Sequence, residues 1–190
     1  MLGPKTRASR PITDRVKESL FSVLYKYELP SGAVVADLFC GVGSLGLEAL
    51  SRGAEFVTFV EQDAKIIAIL KRNIEKAGFV KESKVIRASA FKIGAPLNSE
   101  GQEYGLVFVD PPYAATSSVE AGSALSRLLD LLGEQTTGDG TVIVRTTERT
   151  FLLERYGEFQ VIERRRWGAM AVTILQKMTN GKQTGSYKDN

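Results

Sequence analysis

The sequence has no histidine and a single cysteine, Cys40. One thiol cannot close an internal disulfide, and without histidine the chain lacks the ligands for a protein-built zinc site and the base of a serine or cysteine triad. No metal is therefore expected. No apolar run approaches the roughly 20 residues that span a bilayer. The N-terminus puts Lys5, Arg7 and Arg10 ahead of any apolar stretch, unlike a secretory signal. These absences predict a cytoplasmic chain with no membrane partner. What remains is 190 residues, 43% of them hydrophobic, enough for one domain with a substantial core and too few for a second full one. The net charge of +3 is small but uneven, since residues 1–17 hold Lys5, Arg7, Arg10, Arg15 and Lys17 against Asp14 alone. A basic arm on a near-neutral body suits a polyanionic partner, although solvated cations near a chain end are common.

Periodicity organises the rest. Residues 1–12 show none and read as an extended basic arm. Apolar residues at helical spacing from Asp14 to Tyr27 follow the N-cap candidate Thr13, and Pro30 with Gly32 ends that helix. Val34 to Phe39 is a strand running into Cys40-Gly41-Val42-Gly43-Ser44-Leu45-Gly46 and a helix to Ser51. Phe56 to Val60 is a second strand ending at Glu61, and Asp63 caps an amphipathic helix that Gly78 stops. A third strand, Lys84 to Arg87, precedes Ala88-Ser89-Ala90-Phe91. Ser118 to Leu132 reads as a helix, Gly138-Asp139-Gly140 as a turn into a strand over Thr141 to Arg145, and Phe151 to Tyr156 as a short helix. Phe159 to Arg166 and Ala169 to Lys177 form an antiparallel hairpin around Trp167-Gly168. Residues 179–190 are polar and expected to be disordered. The pattern predicts an α/β domain over 13–178, a doubly wound, mostly parallel sheet with one reversed strand.

The most informative stretch is Leu106 to Tyr113. Four consecutive apolar residues read as a strand buried on both faces, and Asp110 must end it, because the prolines that follow cannot donate to a ladder. Ligands bind outside the carboxyl ends of such strands. Fixed acceptors at Asp110 and the Pro111 carbonyl, beside the Tyr113 ring, suit a flat substrate bearing an amino group. The plainer alternative is a turn with a strand-end acid and a solvent-facing tyrosine.

Gly41 to Gly46 matches G-x-G-x-x-G, and Glu61 ends the next strand where a ribose-binding acid belongs, so a dinucleotide site stays open. Asp37 weighs toward S-adenosylmethionine, since an acid there favours an ammonium or sulfonium and would repel a pyrophosphate. A salt-bridged Asp37 is the alternative.

Three blocks carry a resemblance: Arg10-Pro11-Ile12-Thr13-Asp14-Arg15-Val16-Lys17-Glu18-Ser19-Leu20-Phe21, Asp37 to Ala54, and Val107 to Tyr113. Together they resemble the RsmD-type 16S ribosomal RNA guanine-N2 methyltransferases over about Arg10 to Lys177. Asp-Pro-Pro-Tyr by itself is shared with adenine-N6 methyltransferases. The resemblance implies the class I methyltransferase fold, a Rossmann-like sheet of seven strands with the last antiparallel, and S-adenosylmethionine as cofactor. It implies a cofactor site of Asp37, Phe39, Cys40, Gly41, Gly43, Glu61, Gln62, Ser89, Ala90 and Asp110, with Asp37 toward the amino group and Glu61 toward the ribose. Cys40 is also read as a small residue packed in the turn. Asp110, Pro111, Pro112 and Tyr113 would hold the target amine and base, while Arg10, Arg15 and Lys17 would meet phosphate. The implied partner is ribosomal RNA, free or in an assembling 30S particle, bound by a monomer. Arg164-Arg165-Arg166-Trp167, expected to alternate faces on an edge hairpin, would protect that edge or bind RNA.

Two departures stand out. Many members of that family begin with a further β-hairpin before the Arg10 block, where nine residues stand here, which implies that part of the RNA-binding surface is missing or replaced. Ser89 occupies a position where class I enzymes often have an acid, which implies a weaker hydrogen bond to adenine. Adenine-N6 methylation, an NAD-binding oxidoreductase and a non-catalytic RNA-binding module remain the alternatives.

Overall fold

The computed structural model describes residues 12–97, 101–178 and 188–189. The elements in chain order are α1 (Asp14–Leu24), β1 (Val34–Leu38), α2 (Ser44–Ser51), β2 (Phe56–Glu61), α3 (Ala64–Ala77), β3 (Ser83–Arg87), α4 (Ala90–Ile93), β4 (Tyr104–Val109), α5 (Ala124–Gly133), β5 (Thr136–Thr147), β6 (Arg155–Tyr156), β7 (Phe159–Trp167), β8 (Met170–Lys177) and β9 (Lys188–Asp189). The sheet runs β3-β2-β1-β4-β5-β8-β7-β6, with β9 paired to β7. Strands β1 to β5 are mutually parallel, and β8 lies antiparallel between β5 and β7. The seven long strands are those expected, the last one reversed. β6 and β9 are two-residue additions against β7.

Alternation along the central strands explains the double winding. Leu106 and Phe108 of β4 face one core, with Phe21 and Leu24 of α1 and Leu70 of α3, while Val107 and Val109 face another, with Leu125, Leu128 and Leu129 of α5. A strand covered on both faces must be apolar at every position, which is why Leu-Val-Phe-Val carries no polar alternation. Phe21 and Phe108 meet at 5.8 Å between ring centroids, tying α1 to the sheet.

Three local readings need correction. The helix after Asp-Pro-Pro-Tyr begins at Ala124, not Ser118, because Gly122 sits at φ +77° and the Ser123 hydroxyl caps the Ser126 N–H at 3.1 Å. Tyr113–Thr116 forms a separate 3-10 turn. β5 starts at Thr136, since the Gly138-Asp139-Gly140 segment is absorbed into a strand with an irregular register against β4. Phe151 to Tyr156 is not helical. Arg164 donates to the Glu148 and Thr150 carbonyls just before the segment, at 2.7 and 3.3 Å, and the Tyr156 hydroxyl accepts from Leu153 N at 3.1 Å, so side chains hold the segment in an irregular path.

Register sets up the site. Leu38 pairs with both Val60 and Val109, and Val109 pairs with Val144. Phe39, Glu61, Asp110 and Arg145, each the next residue along its strand, therefore line up at one edge of the sheet.

Candidate active site

At that edge lies a cavity of about 310 Å³. The chain enters it through Phe39, a non-glycine residue held at φ +58°, a conformation costing on the order of 1–3 kcal/mol. That turn carries Cys40 and Gly41 back over β2, where Cys40 N donates to the Val60 carbonyl at 3.2 Å and Gly41 N to Glu61 Oε2 at 3.1 Å. Glu61 Oε1 also accepts from Gln62 N and Asp63 N, at 2.8 and 2.9 Å. Three of about four lone-pair positions are thus used, leaving one for a hydroxyl. The Phe39 ring packs on Phe91 at 4.7 Å. Phe39, Val60, Ile66, Ala88 and Ala90 give one part of the cavity apolar walls.

The three glycines of the turn do different things. Gly41, at φ +55° with open space where a Cβ would stand, lines the cavity. A Cβ on Gly43 would lie 2.5 Å from Leu70 Cδ1, and one on Gly46 would lie 2.4 Å from Phe59 Cε1. Those two permit close packing of α2 on β2 and α3, and Gly43 does not line the cavity.

The acids differ in environment. Asp37 is buried and accepts from Gly46 N at 2.8 Å. Burial pushes its carboxyl up to about 7, helped by Asp110 and Glu61 and opposed by the Gly46 hydrogen bond and Arg145. Asp110 is paired with Arg145, Nε to Oδ1 at 2.5 Å, with side chains 19% and 8% exposed. Burial raises the Asp110 carboxyl above its ordinary range, and Arg145 pulls against that rise. Burial also pushes the Cys40 thiol well up, keeping it neutral. Four acids, Asp37, Glu61, Asp63 and Asp110, and one arginine leave the cavity net negative when ionised, a setting that favours a cationic ligand.

Of the residues singled out in the sequence, Asp37, Phe39, Cys40, Gly41, Glu61, Gln62, Ala90, Asp110, Pro111 and Pro112 line this one space. Ser89 precedes α4 without a side-chain cap bond and is not among the lining residues. Tyr113 is 37% exposed and borders a neighbouring cavity. Lys17, expected to meet phosphate, instead binds Glu48 at 3.0 Å and Asp14 at 3.3 Å, its side chain 12% exposed. Arg15 is exposed on α1, and Arg10 lies outside the described residues. The Arg164 to Trp167 run sits on β7, paired along its length with β8 and at Arg164 with β9, while β6 pairs only with Phe159 and Gln160. There Arg164 is buried, Arg165 pairs with Glu163, and Arg166 is exposed. Arg145 was not singled out from the sequence. Its only signal is a cation ending an apolar strand, and its partner is set by register.

Comparison with known proteins gives one answer. A family model described as "Conserved hypothetical protein 95" matches residues 1–176. The Bacillus subtilis (strain 168) protein YlbH, provisionally named an rRNA methyltransferase, is 32% identical over 172 residues, covering 90% of this chain and 89% of its own. Ribosomal RNA small subunit methyltransferase D of Haemophilus influenzae is 40% identical over 118 residues, 61% of this chain and 59% of that protein, so this match spans little more than half of its length. The solved structure of Escherichia coli yhhF, provisionally named a methyltransferase, superposes with a TM-score of 0.72 at 28% identity, covering 92% of this chain and 91% of that one. Among the described residues no helix is long and apolar enough to cross a membrane. With the model matched from the basic arm to the end of β8, and the glycine turn and Asp-Pro-Pro-Tyr meeting at one sheet edge, the chain belongs to the RsmD-type family of class I methyltransferases.

Proposed function

We propose that the protein transfers a methyl group from S-adenosylmethionine to the exocyclic N2 of a guanine in small-subunit (16S) ribosomal RNA. The observation that carries this reading is that Asp110, Pro111 and Pro112 line the same cavity as Asp37, Gly41 and Glu61. A group held by the latter three therefore faces whatever the former hold. The residues fit the cofactor. Glu61 keeps an acceptor position for a ribose hydroxyl, Asp37 offers a buried acid to the ammonium, and Phe39, Ala88 and Ala90 form apolar walls for the adenine. Bound S-adenosylmethionine supplies an electrophilic methyl on a sulfonium.

The chain's own part is orientation and charge. A base amine is a poor nucleophile because its lone pair is delocalised into the ring. Asp110, fixed through Oδ1 by Arg145, keeps Oδ2 to accept from one N–H of the amine, and the Pro111 carbonyl is the second acceptor. Two acceptors on one nitrogen favour a pyramidal geometry with the lone pair turned toward the methyl. As positive charge develops on that nitrogen, the carboxylate stabilises it in a site with little water. A carboxyl raised above its ordinary range is also the base to take the proton the nitrogen sheds. An unpaired guanine suits the site, since extracting one from a duplex costs a few kcal/mol. The enzyme acts as a cytoplasmic monomer, on free RNA or on an assembling 30S particle.

The test is to incubate the full chain with labelled S-adenosylmethionine and 16S RNA or 30S particles from a strain lacking the enzyme, then digest and identify the nucleoside. Label in N2-methylguanosine is expected. Label in N6-methyladenosine overturns the guanine assignment, and no label overturns the enzyme. Asp110→Ala should abolish transfer while S-adenosylhomocysteine still binds.

A further inference from the structure

A second cavity, of about 410 Å³, adjoins the first, with Ile12 lining both. Its walls include Val16 of α1, Tyr113, and Trp167 and Met170 at the tip of the β7–β8 hairpin, and Arg149 stands at its rim. We propose that this cavity receives the base of the nucleotide next to the methylated one, stacked on Trp167 in an unpaired RNA strand. The inference rests on the reading that the substrate is RNA.

Four observations converge on that occupant. The walls combine an indole, a phenol, a thioether and branched aliphatics, surfaces that hold a flat, uncharged ring. Asp110, Pro111 and Pro112 line the first cavity and not this one. A base seated at Trp167 is therefore not the base whose amine meets Asp110, yet the two spaces touch. The rim carries Arg149 and its paired acid Glu148, with further cations on the adjoining surface. The Arg149 side chain is 91% exposed, with a 3.6 Å contact to Glu148, and Arg15 and Arg166, the chain neighbours of the lining residues Val16 and Trp167, are exposed, cations that suit a passing phosphate backbone. Finally, Met170 Sδ lies 3.7 Å from Nη1 of Arg145, whose Nε holds Asp110. A base in this cavity thus contacts the residue that backs the Asp110 pair.

Trp167 is the only tryptophan in the chain, so its emission reports the cavity directly. The experiment titrates the full chain with a short single-stranded RNA centred on the mapped target nucleotide, and with the same RNA made abasic at the target or at either neighbour. Trp167 emission and RNA anisotropy are read together. The intact RNA should quench Trp167, and the RNA abasic at the target should quench it too. One RNA abasic at a neighbour should bind roughly 5- to 150-fold more weakly and leave emission unchanged. Trp167→Ala should show the same loss with intact RNA and no further loss with that abasic RNA, and Trp167→Phe should restore most of it. Quenching that survives both neighbouring abasic sites overturns the inference, as do losses that multiply between Trp167→Ala and the abasic RNA. If RNA leaves emission unchanged while deletion of residues 1–11 alters it, the chain's own arm fills the cavity and the inference falls. Methyl transfer to the intact RNA without quenching counts against this pocket alone. Absence of both counts against the RNA-methylation reading itself.

Discussion

Arg145→Leu isolates the electrostatic support of the proposed chemistry. In the native chain the Arg145 and Asp110 side chains, 8% and 19% exposed, meet at 2.5 Å. Removing one partner of a buried pair typically costs 3–5 kcal/mol, because the other charge is left unpaired. Asp110 retains some exposure and can take up a proton instead, so the lower end applies, about 3 kcal/mol at neutral pH. For a chain of this size that is roughly 6–12 °C in melting temperature. The kinetic effect follows from the sign of the shift. Burial already raises the Asp110 carboxyl and Arg145 opposes the rise, so the variant carboxyl moves further up and a larger share of it is protonated, a form that donates rather than accepts. Single-turnover methyl transfer at saturating cofactor and RNA should fall at neutral pH and recover as pH rises. Arg145→Lys, which keeps the charge and loses the planar fork, should fall between. Asp110→Asn combined with Arg145→Leu should regain most of the lost stability, since a neutral amide needs no counter-ion, though not the rate. The reasoning is refuted if Arg145→Leu keeps the native acid limb and melting temperature, or if its lost rate does not return as pH rises.

Three further outcomes follow from the same geometry. Asp37 titrates near 7 in the folded chain, so its contribution to apo stability is present below its unfolded value, near 3.8, and is lost as pH rises through about 7. A cationic cofactor prefers its ionised form, so affinity should strengthen between pH 6 and 8 with proton uptake by buffer. Calorimetry in buffers of different ionisation enthalpy reads this, and Asp37→Asn should abolish the slope. Gly43→Ala and Gly46→Ala each drive a Cβ to within 2.5 Å of a core side chain and should lose about 1–3 kcal/mol in denaturant titrations, whereas Gly41→Ala should lose mainly S-adenosylhomocysteine affinity. Arg15→Gln should lower the salt slope of RNA binding by about 0.7, and Lys17→Gln should leave it unchanged, because Lys17 is already paired with Glu48 at 3.0 Å.

Short windows of sequence were enough for the sheet core and half of the site. The both-face burial of Leu106 to Val109, the stop imposed by Pro111 and Pro112, the sharp turn at Gly41 and the acid at the end of β2 are each consequences of local sterics and apolar spacing. Such effects act within a few residues, so they can be read without coordinates. Their short reach is also their limit: the helix expected from Ser118 begins at Ala124, and the segment expected to be helical from Phe151 is not, with Arg164 of β7 holding the Glu148 and Thr150 carbonyls just before it.

What only the tertiary structure decided is which distant groups meet. Asp110 and Arg145 are 35 residues apart and become neighbours because Val109 pairs with Val144 across two parallel strands. Lys17 is withdrawn from phosphate by an acid on α2, and Trp167 reaches a cavity shared with the start of α1. Hydrophobic periodicity determines that a strand is buried, but shifting its register by one residue would change every one of these partners. Register depends on the whole core closing at once, which is why the charge state of Asp110 could not be read from the chain alone.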